Sequence, residues 1–183
     1  MQDDALTLPP ITVMDVRTGN ISDLGHDDAR GQISRGDVIE TVPSDPQRAK
    51  LWIAELRREV MIEATRRGFA SDIPAFEEYE AWCAVRSIHA LPVKTEDLVL
   101  FLLGMAAAGV LKHVQSAKAR SIDRIHSLTN HLPRHLSRHA MDDYSRAIKF
   151  AKAELRDVPL AEVEERAARK ALEMFPDGVI PLR

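Results

Sequence analysis

Five of the seven histidines in this 183-residue chain, and ten of its 25 lysines and arginines, fall between positions 112 and 156. Residues of these types can hold a metal, catalyse proton or phosphoryl transfer, or bind a polyanion. His131, His135 and His139 recur every four residues, the spacing that aligns side chains along one helix face. Pro133 interrupts such a helix, and no cysteine or carboxylate completes a ligand set. The sequence therefore predicts no metal and no cofactor, with a solvated loop at these histidines. Cys83, the single cysteine, has no partner for an intrachain disulfide and no adjacent activating base, so it reads as a small buried apolar residue.

No glycine-rich phosphate loop is present, and what remains is charge. The formal net charge of −3 conceals a separation along the chain. Residues 1–45 carry nine acids and three arginines, a net of −6, whereas residues 112–156 carry ten Lys and Arg against four acids, a net of +6. Local excess of this kind, more than the overall sum, governs attraction to a polyanion.

The elements that must position these residues follow from apolar spacing. The first 46 residues are rich in Asp, Gly, Thr, Ser and Pro, with β-prone pieces only at ITVMDV and DVIETV. This predicts a mostly flexible acidic arm with at most a weak hairpin. At PSDPQ, Ser44 or Asp45 can cap a helix whose first turn accepts Pro46. Leu51, Trp52, Leu56, Val60 and Ala64 then mark an amphipathic helix over about 48–67, ended near Gly68. A second helix, about 74–86, turns Phe76, Tyr79, Trp82 and Cys83 toward the core.

Thr95 is the expected cap of a third helix, about 96–108, with Glu96 and Asp97 at its positive end. Leu98, Val99, Phe101, Leu102, Leu103 and Met105 make this helix apolar nearly all round, hence central, and Gly109 ends it. A fourth helix, about 114–130, buries Val114, Ala117, Ile122, Ile125 and Leu128 and turns His113, Ser116, Arg120, Arg124 and Ser127 outward. After the loop HLPRHLSRH, a fifth helix over about 141–156 sets Tyr144, Ala147, Ile148, Ala151 and Leu155 inward, with Arg146, Lys149 and Arg156 on its other side.

The stretch PLAEVEERAARKALEMFPDG predicts a short amphipathic helix, striped by Leu160, Val163, Ala167, Ala171 and Met174, that either packs on the domain or meets a partner. The expected fold class is all-α: a compact bundle of four to five helices over 47–156, an acidic arm at 1–46, and a terminal helix and tail at 157–183. No run of about 18 apolar residues occurs, and MQDDALTLPP lacks the features of a signal peptide. The expectation is a cytoplasmic protein with no membrane association.

The order of these features carries a resemblance. FEEYEAWCAVRSIHALPVKTEDLVLFLLGMAAAGV, followed by SAKARSIDRIHSLTNHL, resembles the core-binding (SAM-like N-terminal) domain of tyrosine recombinases and phage integrases. The shared pattern falls on Trp82, Cys83, Pro92, Glu96, Asp97, Leu98, Phe101, Leu102, Gly109, Ile122, Ile125 and His126, across about residues 70–156. The resemblance implies a helical clamp on double-stranded DNA. Its fourth helix would approach the major groove with Lys112, His113, Gln115, Ser116, Lys118, Arg120 and Arg124, and Arg134, Arg138, Arg146 and Lys149 would contribute beside it.

Cations at these positions would neutralise phosphates and release counterions, while Arg and Gln can pair with base edges. Arg120 and Arg124, one turn apart, are the leading candidates for base contacts, with Arg146 and Lys149 assigned to phosphate. The acids in FASDIPAFEE depart from the family pattern and argue against DNA contact from the second helix.

Recombinases of this family add a catalytic domain that supplies Arg, Lys, a His-x-x-Arg motif and a Tyr nucleophile. Here His131-x-x-Arg134 and His135-x-x-Arg138 precede Tyr144, but the tyrosine is too near, and the 27 residues after Arg156 are too few for the rest. The expectation is therefore a sequence-specific DNA-binding protein that is not an enzyme: a nucleoid-associated transcription regulator, preferably an activator. The alternatives are an accessory factor for recombination or mobile-element maintenance, and a helical protein-interaction module without nucleic acid. The acidic arm suits either contact with RNA polymerase or a plain solubilising tail, and a DNA-bending partner such as integration host factor enters by analogy alone.

Overall fold

The computed structural model describes residues 10–15, 17, 20–35, 38–129, 131, 133–155, 159 and 162–181. Arg156 and Leu160, assigned above to helix faces, lie outside them. The described residues are mostly helical, and the chain divides after Leu56 into two compact units.

The first unit holds strands β1 (Ile11–Asp15) and β2 (Ile21–Leu24), helix α1 (His26–Arg35) and strand β3 (Val38–Glu40). β1 is central and antiparallel to both neighbours, pairing Val13 with Ser22 on one side and with Glu40 on the other. Residues 10–45, where the sequence predicts an arm with at most a hairpin, thus form a three-stranded sheet with a helix. Val13 and Ala29 are fully buried, and Ile11 and Leu24 pack against them. The polar compositions of ISDL and HDDARGQISR hide β2 and α1 from a reading based on apolar period.

Helix α2 (Pro46–Arg66) begins in this unit. Its cap is as the sequence predicts, with the Asp45 carboxylate accepting from Arg48 N at 2.8 Å and Pro46 opening the helix. Arg48 donates to Asp23 at 3.1 Å and to the Pro10 carbonyl at 2.5 Å, and the Trp52 indole donates to Glu40 at 2.5 Å. These bonds fasten the start of α2 to all three strands' neighbourhood of the sheet.

In the second unit, a short 3-10 turn (Ala70–Asp72) leads into α3 (Ile73–Val85), followed by α4 (Thr95–Ala107), α5 (Lys112–Ser127), α6 (Leu136–Glu154) and α7 (Val163–Met174). α4 packs against α5, α6 and α7, while α3 lies on α5. Its centrality follows from composition: Leu98, Val99, Leu102 and Leu103 are fully buried, with Phe101, Met105 and Ala106 nearly so. Burial of each large side chain contributes about 1.5–3 kcal/mol. Phe101 meets Tyr79 and Trp82 edge-on at 5.4 and 5.7 Å, which locks α3 to α4 through aromatic contacts.

Two helix starts differ from expectation. Lys94, in extended conformation, takes the capping position of α4, and Thr95 is already helical with no side-chain cap. α6 begins at Leu136, five residues earlier than its pattern suggests, because Leu136 and Ala140 are buried and the cap comes from another helix. Asp123 of α5 accepts from both the backbone N and the hydroxyl of Ser137, at 3.2 and 2.6 Å.

The terminal helix packs on the bundle. Ala167, Ala168 and Ala171 of α7 are fully buried against α4 and α6, small side chains that allow close approach. Beyond α7 the chain returns to the start of α4, where Gly178, at φ +73°, leaves no room for a side chain: a Cβ there would stand 2.3 Å from the Glu96 carbonyl oxygen.

Candidate nucleic-acid interface

α5 and α6 present the basic segment. They run antiparallel along a seam marked by Ser116 against Met141 (3.9 Å, Oγ to Sδ) and Asp123 against Ser137. Ala119, Ile122, Ile125 and His126 turn into the core from α5. Ala117, expected inside, is exposed, and Ala119 fills the inward position.

The structure separates the eleven candidate residues into three groups. Lys112, His113, Arg134, Arg138 and Lys149 are exposed and have no ion-pair partner among the described residues. Arg120 is exposed too, and among the described residues its Nε donates only to the Ser116 carbonyl of its own helix, at 3.2 Å. These six form the free basic surface.

A second group is tied up within the protein. Arg124, expected to point freely outward, clasps Asp72 with Nε to Oδ2 at 2.6 Å and Nη2 to Oδ1 at 2.5 Å. Asp72 is 6% exposed at its side chain and also accepts from the Ser121 hydroxyl at 2.7 Å. The Arg124 guanidinium, first among the causes, holds the Asp72 carboxyl below the usual carboxylate range. Helical spacing foretells that Arg124 faces away from the core, but not that the turn before α3 brings a carboxylate to it. The acids noted in FASDIPAFEE were the available signal.

Lys118 pairs with Glu78 of α3, and Arg146 pairs with Asp143 one turn back on α6. Both are half-buried, so each cation expected at DNA is engaged by an acid of the protein itself.

The third group is turned inward. Gln115 is 2% exposed, and its side-chain amide donates to the Val110 carbonyl at 2.6 Å. It braces the turn between α4 and α5 instead of facing outward. Ser116 is half-buried at the seam.

The reading from spacing missed the inward role of His126. This residue is 1% exposed, and its Nδ1 accepts a hydrogen bond from Val93 N at 3.2 Å, joining α5 to the segment before α4. Burial, aided by the nearby His131, lowers its pKa and keeps the ring neutral, although the His131 and Pro133 backbone and Asp123 act in the opposite sense. His135 stands at φ +58° at the start of α6, and His139 is exposed on it. Among the described residues, no three His, Cys, Asp or Glu side chains are grouped to hold a metal ion, and no helix is long and apolar enough to cross a membrane.

Fold and site together define a mostly helical protein whose second unit carries a basic helix pair. No protein-family model, curated protein or solved structure matches the chain.

Proposed function

We propose that the protein binds double-stranded DNA sequence-specifically through α5 and α6 and acts as a transcription regulator, with an integrase-like core-binding domain as the binding unit. The observation that carries this reading is the set of exposed cations Lys112, Arg120, Arg134, Arg138 and Lys149, none held by a carboxylate among the described residues. Proteins usually pair surface cations where acids are near, as this one does at Lys118, Arg124 and Arg146. The exposed cations, on two packed helices and the turn that joins them, remain available for phosphates, which is the requirement for counterion release. Arg120, held to the Ser116 carbonyl beside the seam, is the side chain this reading assigns to a base edge. Activation rather than repression, a role as a recombination accessory, and partnership with RNA polymerase or a DNA-bending protein belong to the same proposal.

The test is recovery of genomic fragments by the purified full chain, followed by sequencing. The reading predicts enrichment of a shared sequence; fragments recovered in proportion to their abundance would contradict sequence-specific binding.

A second reading, a protein-interaction module, is favoured by Val85 and Leu111, large apolar residues left 83% and 64% exposed at the ends of α3 and α5. It predicts no mobility shift with any of those fragments.

A further inference from the structure

Helix α2 buries one side along its length and leaves the other open. Ala49, Val60 and Ala64 are buried, whereas Leu51 and Ile62, on the opposite side, are 71% and 56% exposed. At about 100° per residue, Leu51, Glu55, Arg58 and Ile62 fall within a sector of about 60° and form a single ridge. All four are exposed. Their spacing of four, three and four residues is that of a coiled-coil seam.

A lone exposed leucine or isoleucine is ordinary on a protein surface. The order along this ridge is not. An apolar residue, an acid, a base and an apolar residue stand symmetrically about the midpoint between Leu56 and Arg57. Two copies of α2 packed antiparallel about a two-fold axis at that midpoint set Leu51 against Ile62 of the second copy at both ends. Between those ends, Glu55 meets Arg58 of the second copy twice. This is the self-complementarity that an isologous contact requires. Parallel packing would instead oppose Glu55 to Glu55 and Arg58 to Arg58, and an antiparallel pair slipped by one heptad would set Leu51 or Ile62 against a charge.

We infer that the exposed ridge of α2 is a docking surface for a second copy of this chain, joined antiparallel through Leu51 to Ile62 and Glu55 to Arg58. The outer apolar pairs supply most of the attraction, and the central ion pairs fix orientation and register. Glu55 and Arg58 also interact within their own chain. A carboxylate and a guanidinium each have several hydrogen-bonding positions, so a partner is added without loss of the first. Contact along one helix pair is small beside the roughly 1,200–2,000 Å² of a standard interface, which makes the dimer weak and dependent on concentration. The inference goes beyond DNA binding and does not depend on it.

Sedimentation of the full chain over a wide range of protein concentration tests it. A monomer–dimer equilibrium is expected. Ile62→Asp, at an exposed site, should weaken it by more than about tenfold, because a carboxylate is then buried opposite Leu51 at both ends. Glu55→Arg and Arg58→Glu should each weaken self-association, since each leaves like charges at both central contacts. Mixed in equal amounts, these two variants should associate with one another, because opposite charges then meet at both contacts, with an affinity within about threefold of the native one. A chain that stays monomeric at every concentration would overturn the inference, as would a dimer that Ile62→Asp leaves intact. Failure of the two charge variants to associate on mixing, with native circular dichroism retained, would overturn the antiparallel pairing.

Discussion

Arg124 and Asp72, 52 positions apart, meet through two parallel hydrogen bonds of 2.6 and 2.5 Å that tie α5 to the turn before α3. The carboxylate is nearly buried while the guanidinium is 47% exposed, so the pair gains from geometry but is partly screened. Arg124→Ala leaves Asp72 without its main partner and should lower stability by about 1–3 kcal/mol. In a urea double-mutant cycle with Asp72→Ala, the second change should cost much less once the first is made. Strict additivity would show that the pair contributes nothing.

The same pair has a pH signature. Asp72 has its pKa lowered in the folded state from 3.8, so its contribution is present above that value and disappears as pH falls through the folded pKa. The stability difference between the native chain and Arg124→Ala should therefore shrink on acidification below about pH 4. A difference that holds constant down to acid unfolding would contradict the assigned cause.

His126 acts in a higher window. Its folded pKa is depressed below 6.5, so the unfolded state takes up the proton first and stability declines as pH drops below the unfolded value. Urea midpoints should fall between about pH 7 and pH 5. His126→Gln, which keeps an acceptor for Val93 N, should flatten that dependence, and an unchanged slope would assign it to another histidine.

Much of the bundle is legible in the sequence because its signals are local. α3 and α4 begin and end within about one residue of the positions that apolar spacing and Gly109 predict. What spacing cannot show is which distant group meets a polar side chain. Arg124 looks free until Asp72 reaches it, Gln115 looks like a base reader until it turns to Val110, and α6 appears to lack a start until Asp123 caps it. In the first unit β1 and β3 fall on the β-prone ITVMDV and DVIETV, whereas β2 and α1 are hidden because the core they share centres on Val13 and Ala29, too small to impose a visible apolar period.

Asp123 gives a direct check on such long-range capping. Asp123→Ala should destabilise the protein by about 0.5–2 kcal/mol, the cost of losing a cap. Hydrogen exchange should speed up first at the N-terminal turn of α6, and uniform acceleration across α5 and α6 would point to a packing defect instead.

Gly178 tests the seating of the tail. In Gly178→Ala the new Cβ would collide with backbone at Glu96, and the positive φ adds strain. A loss of roughly 2–4 kcal/mol is expected from the two effects together, read as a lower thermal midpoint. An unaltered midpoint would mean that the tail does not hold this position against α4.

The central claim concerns the exposed cations of α5, α6 and the turn between them, and the salt dependence of DNA affinity addresses it most directly. Lys112, Arg134, Arg138 and Lys149, each contacting phosphate, give a slope of log K against log salt of about −3 to −4. Replacing Arg138 and Lys149 by Gln should reduce its magnitude by about 2. In Arg120→Ala, loss of a base contact would instead cost about 1–3 kcal/mol and relax sequence preference. A slope near zero, or one that Arg138→Gln/Lys149→Gln leaves unchanged, would contradict DNA binding through this surface.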